Sequence, residues 1–154
     1  MHFYFNIPRI PWCQFPQDLE GGFSRIASKN KIYIVVNFLT LDEEEKLFNT
    51  SLAFGRDGTV LAKYRKFHLY GEEQNKLDRP TLPDVSFFET DFGVKIGMMI
   101  CFDMCFEEPG KLLKESKIDA LAYSTAWDDE VPFCTGNMGH IYSSHNESAA
   151  SSFI

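Results

Sequence analysis

An α/β fold, a mixed β-sheet with flanking helices, is predicted by three features of this 154-residue sequence. Residues 94–100 (VKIGMMI) form an almost unbroken apolar run, the pattern of a strand covered on both faces. Pro109, a short helical stretch over 111–117 and a second apolar run over 118–123 complete a βαβ unit, whose strands should be parallel with a right-handed crossover. Residues 49–54 and 59–63 flank Gly55-Arg56-Asp57-Gly58, and the Asp-Gly pair marks an antiparallel hairpin.

Taken in order, residues 1–18 hold Pro8, Pro11 and Pro16 among aromatics and read as an extended, packed loop. Phe23, Ile26 and Ala27 recur at helical spacing, so a helix is expected over 19–29, closed at Asn30. A β-branched, nearly all-apolar strand follows over 32–39. The charge run 42–46 reads as a solvated loop without a functional role. Beyond the hairpin, residues 71–83 contain Pro80 and Pro83 and should form an irregular loop, with a short strand over 85–89. After residue 124, Thr125-Ala126-Trp127 opens an acidic loop carrying Asp128, Asp129 and Glu130. Met138, Ile141 and Tyr142 keep helical spacing near the end.

Composition narrows the partners. With 44% apolar residues the chain can bury the core of one domain. A net charge of −7, with the acidic groups scattered, disfavours nucleic acid or an anionic membrane surface and suits a neutral or cationic small molecule. No apolar run is long enough to span a membrane, and the N-terminus lacks the pattern of a secretory leader. Cys13, Cys101, Cys105 and Cys134 would permit two disulfides, which a chain of this size does not require. His140 and His145 are spaced wrongly for shared ligation on a helix and no CxxC accompanies them, so neither a metal nor a cofactor is expected. Asn49 and Asn146 head N-glycosylation acceptor triplets.

Cys101 ends the first strand of the βαβ unit, the position at which ligands bind in open α/β sheets. A cysteine there is more often packing than nucleophile. The surrounding residues carry more. The run Thr90-Asp91-Phe92-Gly93, then Ile100-Cys101-Phe102-Asp103-Met104-Cys105-Phe106, Pro109 and Ser124-Thr125-Ala126-Trp127, resembles the nucleophile segment of the nitrilase superfamily, in particular its biotinidase and vanin (pantetheinase) branch. Lys63-Tyr64-Arg65-Lys66-Phe67-His68-Leu69-Tyr70 is similar to the lysine motif of the same superfamily.

The resemblance, over roughly residues 6–150, implies part of an α-β-β-α sandwich and hydrolysis of a linear amide, pantetheine-like or biotinyl, through a cysteine thioester. It makes Cys101 the nucleophile and Lys66 the catalytic lysine, with the oxyanion held by the ammonium and the backbone N–H of Phe102. Glu72 or Glu73 would hold the lysine, and Trp127 would line the pocket. Asp128, Asp129 and Glu130 depart from the more neutral segment of the resembling enzymes, and Asp128 either joins the pocket lining, where it would repel anionic substrates and work against the thiolate, or lies in solvent. An ammonium beside a thiol favours the thiolate, so Lys66 and Cys101 should converge to roughly 3–5 Å at the ends of strands of one sheet. Helices are expected on one face of that sheet, with the other partly bare.

The superfamily's general-base glutamate lies well upstream of the lysine, whereas 65 residues precede Lys66 here and Glu20, Glu43, Glu44 and Glu45 have no matching context. The chain therefore reads as the central portion of one hydrolase domain, inactive by itself, either a fragment of a longer protein or a naturally shortened form that has lost hydrolysis; the resemblance places the full-length protein outside the cell or on its surface. Two other classes fit the residues: a non-catalytic binding or scaffold protein that keeps the fold, and a thiol-redox protein, for which the Cys101/Cys105 spacing is poor.

Overall fold

Each of two three-stranded sheets buries one face against the other and covers its outer face with one helix. The computed structural model describes residues 15–126. Its elements are α1 (Phe15–Asn30), β1 (Ile34–Leu41), β2 (Leu47–Phe54), β3 (Val60–Arg65), α2 (Glu73–Lys76), β4 (Phe87–Glu89), β5 (Lys95–Ile100), a 3-10 turn (Cys101–Cys105), α3 (Glu107–Glu115) and β6 (Ala120–Ser124).

The first sheet is an antiparallel meander in the order β1-β2-β3. The second has the order β4-β5-β6, with β4 antiparallel and β6 parallel to β5. The expected βαβ unit and Asp-Gly hairpin are therefore both present. They belong to two different sheets, which corrects the expectation of one.

Alternation along the strands explains the layering, since successive side chains point to opposite faces. Ala53, Tyr64, Phe88, Met98 and Ile100 meet between the sheets, with Val35, Ala62 and Ala122 packed on them. The intervening residues of the first sheet, Leu52 and Phe54, face outward and pack with Ala27 and Phe23 of α1. On the second sheet Met99 faces outward and packs with Met104 and with Leu113 of α3. Four layers result, α1, sheet, sheet, α3, so neither outer face is bare as expected for one of them.

Several boundaries also differ, β1 running Ile34–Leu41 rather than 32–39 and α3 Glu107–Glu115 rather than 111–117. Helix α1 begins at Phe15 rather than residue 19, and a short helix, α2, interrupts the loop expected over 71–83. The charge run closes the β1–β2 hairpin: Asp42 Oδ1 accepts the Glu44 and Lys46 N–H groups at 2.9 and 3.0 Å. Those backbone bonds hold the Asp42 carboxyl below its usual range. At the other hairpin, Gly58 has φ +87 and a Cβ there would lie 2.6 Å from the Ser24 carbonyl oxygen, so α1 can approach the turn only over glycine.

Candidate active site

The layer between the sheets is apolar along most of its length and polar at one end. The inward rows that begin Tyr33, Val35 and Ala53 continue to Asn37, Asn49 and Ser51, and the row Ala62, Tyr64 continues to Lys66. On the opposite sheet Met98 and Ile100 lead to Cys101, and Ala122 leads to Ser124, whose hydroxyl is 3.3 Å from that of Ser51. These ends enclose a cavity of about 530 Å³ lined by Asn37, Asn49, Lys66, Glu73, Cys101 and Ser124, among others. Lys66 and Cys101 thus reach one cavity, from the two facing sheets rather than from one.

Lys66 is 2% exposed, and its Nζ donates to Glu73 Oε2 at 2.6 Å. A buried ammonium without a counter-charge would be costly, and Glu73 supplies one from α2. Glu73 is itself held: Oε2 accepts the Tyr70 N–H at 2.8 Å and Oε1 accepts Asn49 Nδ2 at 2.8 Å. Asn49 Oδ1 in turn accepts Asn37 Nδ2 at 2.8 Å. Of the two loop glutamates, the structure brings Glu73 to the lysine. Glu72 faces solvent and pairs with Lys76 at 3.6 Å.

Asn49 lies on β2 with its amide nitrogen bonded inside the site, and the neighbouring Thr50 is fully buried. In this arrangement the Asn49 side chain is engaged within the site. Asn37 and Asn49 are site residues that sequence reasoning missed; an asparagine inside the apolar run of β1 was the available signal.

Cys101 is half-buried and opens the 3-10 turn with φ +47, a left-handed conformation uncommon outside glycine. Its carbonyl accepts the Tyr123 hydroxyl at 2.7 Å. The turn thus leaves the strand sharply, as the sequence predicts. Cys101 packs between the sheets, whereas Cys105 packs on the outer side with Met99, Met104 and Leu113. That separation disfavours a paired redox role.

The Phe102 ring lies in an aromatic group with Tyr70 (4.9 Å between centroids) and Phe106 (5.1 Å). Phe106 also stacks on His68 at 3.8 Å. The ring lines a second pocket with His68 and Arg79, distinct from the Cys101 cavity.

Asp103, also unforeseen, is fully buried and accepts the Tyr64 hydroxyl at 2.7 Å and the His68 N–H at 2.7 Å. Burial, and then the Asp103 charge, push the Tyr64 hydroxyl far above its usual range, so it stays protonated.

Trp127, Asp128, Asn146, Cys13, Cys134, His140 and His145 lie outside the described residues, as do the acidic loop and the C-terminal helix expectation. Among the described residues no group of three or more His, Cys, Asp or Glu could hold a metal ion. No described helix is long and apolar enough to cross a membrane.

A four-layer sandwich with a cysteine at the sharp end of one strand, facing a buried lysine–glutamate pair, agrees with what comparison with known proteins shows. The profile of the carbon-nitrogen hydrolase family matches residues 14–145, and the chain belongs to that family.

It is 46% identical over 92 residues to Vanin-like protein 2 of Drosophila melanogaster (59% of this chain, 17% of the relative). It is 36% identical over 121 residues to biotinidase of Rattus norvegicus (71% and 23%). It is 29% identical over 155 aligned positions to pantetheine hydrolase VNN2 of Homo sapiens (86% and 29%). The chain thus spans less than a third of the length of these relatives.

Among solved structures, Nit3 of Saccharomyces cerevisiae, a member of branch 10 of the nitrilase superfamily, superposes with a TM-score of 0.68 at 30% identity (82% of this chain, 45% of that one). The amidase from Nesterenkonia sp. AN1, in a mutant form with the acetamide moiety of fluoroacetamide added covalently at its active-site cysteine, has a TM-score of 0.71 at 21% identity (81% and 48%).

Proposed function

We propose that these residues form the nucleophile half of an amidase centre acting on a linear C–N amide, with Cys101 as nucleophile. The observation that carries this reading is that Cys101 and the ion-paired, buried Lys66 line one cavity. An ammonium has three N–H donors; one goes to Glu73, and among the described residues the others have no hydrogen-bond partner, which leaves them for a cysteine thiolate or a substrate oxygen.

In this mechanism the Cys101 sulfur attacks the amide carbon, and the carbonyl oxygen becomes an oxyanion. Lys66 and the N–H of Phe102 stabilise it. Collapse expels the amine with a proton and leaves an acyl thioester; water then adds, and the acid departs as the thiol re-forms. Glu73 pairs with Lys66 and orients it. Both the thiol and the attacking water need a general base. Glu73 is engaged by three donors, so the base is a carboxylate from outside the described residues.

The similarity to a biotinidase and a pantetheine hydrolase supports a biotinyl or pantetheine-like amide as substrate, and a protein working outside the cell or on its surface with Asn146 as a candidate glycan acceptor.

Amide turnover tests the reading. The 154-residue chain should turn over neither amide measurably, since loss of a general base alone costs about 10²–10⁴ in rate. Joined to a segment supplying that carboxylate it should be active, with activity abolished by Cys101→Ala and largely spared by Cys105→Ala. Turnover that survives Cys101→Ala would contradict the assignment of the nucleophile, and no turnover by the joined chain would favour a binding protein that keeps the fold.

A further inference from the structure

Asp103 is fully buried, with no lysine or arginine among its hydrogen-bond partners in the described residues, an expensive place for a carboxylate unless its acceptors are filled. They are. Oδ2 accepts the Tyr64 hydroxyl at 2.7 Å and faces the Ile100 N–H at 3.4 Å, and Oδ1 accepts the His68 N–H at 2.7 Å with His68 Nδ1 at 3.2 Å.

The origin of these donors is informative. Tyr64 and His68 stand two residues before and two residues after Lys66, and Ile100 immediately precedes Cys101. One carboxylate therefore ties the segment that carries the lysine, on the first sheet, to the turn that carries the cysteine, on the second. That turn needs holding, because Cys101 adopts φ +47 without being glycine, and such a conformation persists where surrounding bonds over-determine it.

We propose that Asp103 is a positioning residue: its carboxylate fixes the register of the Lys66 segment against the Cys101 turn, so that ammonium and sulfur meet at one cavity. The inference rests on reading Cys101 and Lys66 as the reactive pair. Asp103 touches no substrate in this role and transfers no proton. It acts through Tyr64, His68 and Ile100.

The test is alkylation of Cys101 by iodoacetamide in the full 154-residue chain, followed peptide by peptide by mass spectrometry across a pH series. Lys66→Met should lower the Cys101 rate at pH 7 by about tenfold and move the profile to higher pH, because an adjacent cation favours the thiolate. Asp103→Asn should do the same to a smaller extent.

The sign is decisive. If Asp103 acted through its charge alone, removing a negative group near the sulfur would favour the thiolate and raise the rate. If it served only to stabilise the fold, loosening the turn would expose a half-buried thiol and again raise it. A fall is expected only if the lysine is displaced.

Should Asp103→Asn not fold, Tyr64→Phe, which removes one of the donors and keeps the ring, takes its place with a smaller fall expected. A rate unchanged or raised in the folded variant, with Lys66→Met still lowering it, overturns the positioning role and leaves the reactive pair standing. No effect of Lys66→Met overturns the pair itself, and the role of Asp103 with it.

Discussion

Lys66 Nζ and Glu73 Oε2 are 2.6 Å apart, and the lysine side chain is 2% exposed while the glutamate is 26% exposed. The pair joins a strand end to the short helix α2 across the rim of the cavity. Glu73→Ala would leave a buried ammonium with no counter-charge and free Asn49 from its partner. We expect a loss of about 2–3 kcal/mol, below the full cost of breaking a wholly buried pair because water reaches Glu73. Glu72→Ala removes a surface pair and should cost under about 0.5 kcal/mol. Urea unfolding of the two variants checks the contrast; equal effects would contradict the assignment of Glu73 as the lysine's partner.

Tyr64 gives a pH dependence whose sign is fixed. Its hydroxyl is held protonated far above the ordinary value of 10.0, by burial and then by Asp103. A group whose folded value is raised contributes fully below its unfolded value, and that contribution is lost as pH rises beyond it. The stability difference between the native chain and Tyr64→Phe should therefore be constant from pH 7 to 9, at about 1–2 kcal/mol, and shrink above pH 10. A difference that grows above pH 10 in denaturant titrations would contradict the buried Tyr64–Asp103 contact.

The four layers are tested by truncating one anchor on each outer face. Phe54, buried against α1, and Leu113, buried against the second sheet, are both at 1% exposure or less. Phe54→Ala should cost about 3–5 kcal/mol and Leu113→Ala about 2–5 kcal/mol, each with loss of helical signal at the transition. A near-neutral result at either position would mean that its helix does not cover that face.

Asn49 should remain free of glycan when the chain passes through a secretory pathway, because its amide nitrogen donates to Glu73 and Thr50 beside it is buried. Peptide mass spectrometry of the folded, secreted protein checks this. A glycan at Asn49 would show that β2 does not face the site as described.

Much of the fold is legible in the residues. The apolar run ending at Ile100, Pro109 and the next apolar run dictate β5, α3 and β6, and Asp57-Gly58 dictates the β2–β3 turn. What could not be read is which strands share a sheet. Alternation tells which face a side chain occupies, and not whether that face meets a helix or another sheet; the connection over 66–86 carries the chain from one sheet to the other.

The site divides in the same way. Lys66 and Cys101 stand in segments with a recognisable pattern, whereas Asn37, Asn49 and Asp103 are single polar residues whose meaning depends on partners far away in sequence. Asp103 illustrates it, being 39 residues from Tyr64 and 35 from His68. The choice between Glu72 and Glu73 depended on the turn into α2 at Gly71, whose φ of +52 no periodicity reveals.

Acylation of Cys101 is the most direct measurement of the central claim that this cysteine is a nucleophile served by Lys66. The chain would be mixed with an activated acyl donor such as p-nitrophenyl acetate, and the acetylated peptide identified by mass spectrometry while nitrophenol release is timed. We predict one acetyl group per chain at Cys101, with a rate that falls at least about tenfold in Lys66→Met and persists in Cys105→Ala. Acetylation spread evenly over the cysteines, or a Cys101 rate indifferent to Lys66→Met, would contradict the account.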